Sequence, residues 1–145
     1  MGERVCLVPY LFSGLGFPIH PFLRGLLEFY GLQLHNFTPA SILHIAGYVA
    51  LCELFLGCEA HFELWKRLFC LVPRTQEGSI YQVGGAEIWR TAGTGYLSGT
   101  PKKTSEDWPS EWFYMEDVPL PDPIRMGLPE FDNAPLKKRR SWRPR

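Results

Sequence analysis

The sequence has no Cys-x2-Cys pair, no Asp-Thr/Ser-Gly triplet, no Gly-Lys-Ser/Thr ending and no internal repeat. Each absence removes a class of chemistry. Without the triplet there is no aspartic-protease site, in which two carboxylates share one proton. Without the Lys-Ser/Thr ending, the Gly-rich stretch from Gly93 to Gly99 reads as a turn and not as a phosphate cradle. A zinc knuckle needs Cys-x2-Cys-x4-His-x4-Cys. The nearest set, Cys52, Cys58, His61 and Cys70, has gaps of five, two and eight residues and reads as core thiols. Two-metal chemistry needs spaced carboxylates on a supporting sheet, and the acids here gather in a Pro-rich strip. His20, His35, His44 and His61 have no Ser or Cys beside them in an activating context. His44, with Glu53 or Cys52, reads as a satisfied core histidine. The expectation is a protein that is not an enzyme, with no catalytic, cofactor or metal site.

What is present suits a globular chain. At 145 residues, 46% apolar and 14% aromatic, one domain is the default, and it can bury roughly two-thirds of its unfolded surface. The formal charge is zero but unevenly spread. Glu106 to Asp132 holds eight acids and one base, Arg125, while Lys137 to Arg145 holds six bases and no acid. The four cysteines form no paired framework, and Glu3 and Arg4 are followed by an interrupted apolar run with no small-residue cleavage site. Reduced thiols in an intracellular compartment, nucleus or cytoplasm, are expected.

The segment 16–73 organises the rest. Before it, Val5 to Leu15, broken by Pro9, reads as a short strand or extended lead-in. Pro21 suits the first position of a helix over 21–30, which carries Phe22, Leu23, Leu26, Leu27, Phe29 and Tyr30 at helical spacing and stops at Gly31. Thr38 and Pro39 repeat the start signal, as N-cap and first helical residue, for a second helix over 39–56 that Gly57 ends. Almost every position from Ile42 to Leu56 is apolar, so this is a central core helix or a membrane span. His44 and Glu53 lie on opposite faces and no aromatic belt brackets the run, which favours a core helix covered by its neighbours and no membrane. A third helix is expected over 59–71, with Phe62, Trp65, Leu68 and Phe69 as its buried stripe and Glu63 paired to Arg67.

Downstream, 79–83 and 86–90 alternate about Gly84-Gly85, a hairpin signal, and 111–116 reads as a third strand. The fold class is therefore α+β. A three-helix core and a small antiparallel part over 78–118 make one domain, 1–118. Six prolines between Pro119 and Pro144 mark 119–145 as a Pro-rich, acidic-to-basic tail, expected to be disordered.

The run from Gly16 to Arg67 resembles the gypsy-type transposon domain of plant retroelement proteins. The likeness rests on Gly16 to Pro18, Phe22 to Leu27, Phe29 to His35, Ser41 to Ala46, Leu51 to Gly57 and Leu64 to Arg67, with Trp108 to Tyr114 downstream. It implies derivation from a retrotransposon reading frame and no particular chemistry. Met1 falls near the domain's edge, so a truncated, non-functional element copy is one alternative. The leading expectation is a structural or assembly domain that self-associates through apolar faces bearing Phe22, Phe29, Phe62 and Trp65. A further alternative is nucleic-acid binding or nuclear import through Lys137, Lys138, Arg139, Arg140, Arg143 and Arg145, with Trp142 able to stack on bases.

Overall fold

The computed structural model describes residues 3–91 and 107–116. The chain opens with β1 (Glu3–Leu7), and α1 (Val8–Phe12) follows at once. The extended lead-in expected through Leu15 thus gives way to a turn of helix. Pro9 sits in its first turn, where a missing N–H costs nothing, so the residue taken as a strand breaker starts the helix. The Tyr10 hydroxyl donates to the carbonyls of Leu34 and Phe37, which ties α1 to the 3-10 turn Leu34–Asn36.

The first two expected helices are present. α2 (Pro21–Tyr30) has Pro21 in its first turn and ends at Gly31, whose backbone is left-handed (φ 63°). α3 (Pro39–Ala50) is capped by Thr38 Oγ1, which accepts from Ser41 N at 3.1 Å. It runs on as a π-helix, Leu51–Leu56, and stops at the left-handed Gly57 (φ 65°).

The third helix is shorter than expected. α4 is Phe62–Leu68, and the residues read as its last turn begin β2 (Phe69–Pro73). β2 pairs antiparallel with β5 (Ala86–Arg90), Phe69 opposite Arg90 and Pro73 opposite Ala86. The ladder offers those backbone groups partners that one more helical turn before Pro73 could not. Phe69 is buried as expected, but from the strand. Glu63 pairs with Lys66 at 2.9 Å, one position short of the anticipated Arg67.

The hairpin is also displaced. Its tip is Glu77-Gly78, both at positive φ (52° and 82°), between β3 (Thr75–Gln76) and β4 (Ser79–Ile80). Two central residues of positive φ match the strand twist, as in a primed turn. Gly84 and Gly85 are instead wedged into the fold. A Cβ at Gly85 would lie 2.0 Å from the Tyr81 carbonyl oxygen, and one at Gly84 would lie 2.5 Å from the Trp108 ring. The last strand, β6 (Trp112–Glu116), joins no hairpin. It pairs antiparallel with β1, Glu3 opposite Glu116 and Leu7 opposite Trp112. The fold is α+β, with three separate two-stranded sheets among the described residues. The tail 119–145 and the Gly93 to Gly99 turn lie outside those residues.

One aromatic cluster joins these pieces. Trp65, fully buried, stacks on Phe69 at 4.2 Å and meets Phe22 and Tyr48 edge-on at 5.6 and 5.3 Å. Four elements, α2, α3, α4 and β2, thus converge on a single side chain. At the other end of α3, buried Ser41 is the polar link. Its Oγ accepts from Ile88 N at 2.8 Å and lies 2.8 Å from Thr38 Oγ1, so the first turn of α3 is fastened to β5.

Candidate functional site

Between Glu28 and Glu53 the chain carries no Asp, Glu, Lys or Arg, and α3 lies within this stretch. At about 100° per residue, Ser41, Ile42, Ile45, Tyr48 and Cys52 fall on one side, and all five are buried. Leu43, Gly47, Ala50 and Leu54 fall on the opposite side. Leu43 is 42% exposed and Leu54 77%, and the apolar surface continues through Phe55 at 80% and Leu56 at 59%. The helix is therefore covered on one face only, which corrects the expectation of a core helix wrapped by its neighbours. Only a third of the stretch Pro39–Leu56 is buried, and its 18 residues are long and apolar enough to cross a membrane by length and composition.

The surplus apolar surface is not where the helical stripes suggested. Phe22, Phe62 and Trp65 are all buried, and Phe29 packs edge-on against Phe62 at 4.4 Å. Phe22, Phe62 and Trp65 fill the core because α2 and α4 face each other across it, while Phe29 stays 38% exposed at its edge. The open ridge is on α3. An almost uniformly apolar helix has no polar stripe to say which side faces out, so the pattern alone could not locate it.

The rim of this ridge is polar at one point. Glu53 Oε1 lies 2.8 Å from His20 Nε2, while His20 Nδ1 accepts from Phe22 N at 3.1 Å and caps α2. One neutral tautomer serves both bonds, with the proton on Nε2. His44, expected with Glu53 or Cys52, instead faces Phe69 at 5.7 Å. Burial and then the Arg90 charge hold its pKa below the usual histidine value, against a smaller opposing pull from Glu87. Burial likewise depresses His35.

A second cluster forms where the π-helix ends. The Tyr48 hydroxyl donates to the His61 carbonyl and accepts from His61 N at 3.2 Å. Cys52 follows one turn later on the same buried face, and burial raises the pKa of both the Tyr48 hydroxyl and the Cys52 thiol. Cys52 and Cys6 are buried, and burial pushes Cys6 up to about 11. Cys70 is half-buried, while Cys58 is exposed, so it is not the core thiol the sequence suggested. Exposure follows from its place two residues beyond the last helical residue. Among the described residues, no group of three or more His, Cys, Asp or Glu side chains could hold a metal ion. The basic residues Lys137, Lys138, Arg139, Arg140, Arg143 and Arg145 lie outside the described residues.

The described residues form an α+β fold with an exposed apolar ridge along one helix. Residues 5–73, which are 69 of the 145, match the family model "Putative gypsy type transposon". The match supports derivation from a retrotransposon. The match starts at Val5 within β1 and takes in α1, ahead of the resemblance read from Gly16, and ends with β2. The Trp108 to Tyr114 segment lies beyond it. No curated protein and no solved structure matches the chain.

Proposed function

We propose that this chain is a non-catalytic, retrotransposon-derived interaction domain that pairs with a second copy of itself across the outward face of α3. The observation that carries this reading is the run of three consecutive exposed apolar side chains, Leu54, Phe55 and Leu56. With Leu43 they present on the order of 500 Å² of apolar surface, near the top of what a monomer ordinarily leaves open. Gly47 and Ala50 between them are small, so a second helix could approach closely. A symmetric contact of this kind would come near the roughly 800 Å² per partner of a standard interface.

The test is sedimentation of the full chain over a wide concentration range. A dimer is expected, and the double variant Leu54→Asp/Phe55→Asp should weaken it at least tenfold, about 1.4 kcal/mol. Because both side chains are exposed, the variant's circular dichroism should be unchanged. A strict monomer at the highest concentrations would end this reading, and co-sedimentation with lipid vesicles in place of dimerisation would transfer the face to a membrane.

A second reading rests on the six bases between Lys137 and Arg145, with Trp142 among them. They suit a nucleic-acid backbone or an import signal that would place the chain in the nucleus. If all six meet phosphates on single-stranded RNA, the binding constant should fall roughly 10⁴-fold per tenfold rise in salt. Alanine at 137–140 should abolish most of that affinity, and binding that ignores both salt and these substitutions would remove the reading.

A further inference from the structure

The π-helical end of α3 brings two of the four cysteines together. Gly57 turns the chain back, and Cys58 N donates to the Cys52 carbonyl at 2.9 Å. That bond and standard backbone dimensions cap the Cα separation at about 6.8 Å, the upper limit of the disulfide range. The arrangement is a helix C-cap in which the residue after the left-handed glycine folds back onto the last turn. The Cys58 thiol is open to solvent and the Cys52 thiol is buried.

We propose that Cys52 and Cys58 are a peroxide-oxidisable pair that closes into a reversible disulfide across the end of the π-helix. The exposed Cys58 meets the oxidant first. Its thiolate attacks one oxygen of hydrogen peroxide, the O–O bond breaks, and hydroxide leaves to become water once protonated. Cys58 is now a sulfenic acid. The Cys52 sulfur then attacks the Cys58 sulfur, the S–O bond breaks, and the departing hydroxide takes the Cys52 proton to form a second water. Two thiols lose two electrons in total, and one peroxide is reduced to two waters. The new bond would join the exit of the π-helix to the segment leading into α4, which Tyr48 already holds through the backbone of His61. The exposed Leu54–Leu56 ridge lies inside the loop so closed.

The experiment treats the full-length reduced chain with hydrogen peroxide, blocks remaining thiols and maps the products without reduction. No Lys or Arg lies between Arg24 and Lys66, so one tryptic peptide holds both residues. It should appear about 2 Da lighter and unalkylated, and dithiothreitol should restore it. Chymotrypsin, cutting at Phe55, should leave two fragments joined through Cys52 and Cys58. Cys58→Ser, at an exposed site that should not disturb folding, should abolish the bridge, while Cys70→Ser should keep it. The proposal is overturned if Cys58 proceeds to sulfinic acid with Cys52 still open to alkylation after unfolding. It is equally overturned if the oxidised product is a Cys58 bridge between two chains.

Discussion

Trp65→Ala should destabilise the fold by about 3–5 kcal/mol, a large share of the roughly 5–15 kcal/mol that holds a native domain together. Trp65 is fully buried, and its ring touches Phe22 from α2, Tyr48 from α3 and Phe69 from β2. Truncation therefore opens a cavity where four elements meet and no single one can move in to fill it. The loss has two parts, the transfer of the indole to water and the contacts its neighbours forfeit. Trp65→Phe should cost markedly less, because a smaller ring keeps part of the stack on Phe69. The buried indole Nε1, which faces Tyr30, makes no hydrogen bond of ordinary geometry among the described residues, so little polar energy offsets the comparison. Urea denaturation followed by far-ultraviolet circular dichroism is the measurement, since fluorescence would lose one of its five tryptophan reporters. A loss below about 1 kcal/mol for the alanine variant would show that the aromatic cluster does not hold the helices together.

Ser41→Ala should cost about 1–3 kcal/mol, a large effect for the removal of one oxygen. The hydroxyl is buried and accepts the Ile88 N–H at 2.8 Å, so its loss leaves a buried backbone donor of β5 without that partner. The same oxygen lies 2.8 Å from Thr38 Oγ1, which itself caps α3. Thr38→Ala should cost about 1 kcal/mol through the cap, and Thr38→Ser should be mild because the capping oxygen remains. The alanine changes should not add. Each removes a member of one network, so the double variant should differ from the sum of the singles by about 0.5 kcal/mol or more. Strict additivity in a denaturation series would mean that Ser41 and Thr38 act separately.

Much of this architecture was legible along the chain, and the legible parts share a cause. Pro21, Gly31, Thr38, Pro39 and Gly57 mark helix ends through their own backbone preferences, which a residue carries wherever it sits. The errors share a cause as well. Phe69 to Pro73 could extend a helix or form a strand, and β5 as a partner decided for the strand. Gly84-Gly85 has turn chemistry, but Trp108 and Tyr81 pack against it and the turn forms at Glu77-Gly78. Trp112 to Glu116 was recognisable as a strand, while its pairing with β1, more than a hundred residues earlier, was not.

The same division runs through the candidate site. That Ile42 to Leu56 would be a long apolar helix, and that the segment resembles a gypsy-type transposon domain, could be read from residue order. Both depend on local spacing or on motif strings. Which face of that helix stays open, that His20 and not His44 meets Glu53, and that Cys58 returns to Cys52 were decided only in three dimensions. A helix apolar on nearly every side is compatible with any orientation. Its exposed ridge is whatever α1, α4 and β5 leave uncovered, and contacts between distant segments have no signature in the order of residues along one.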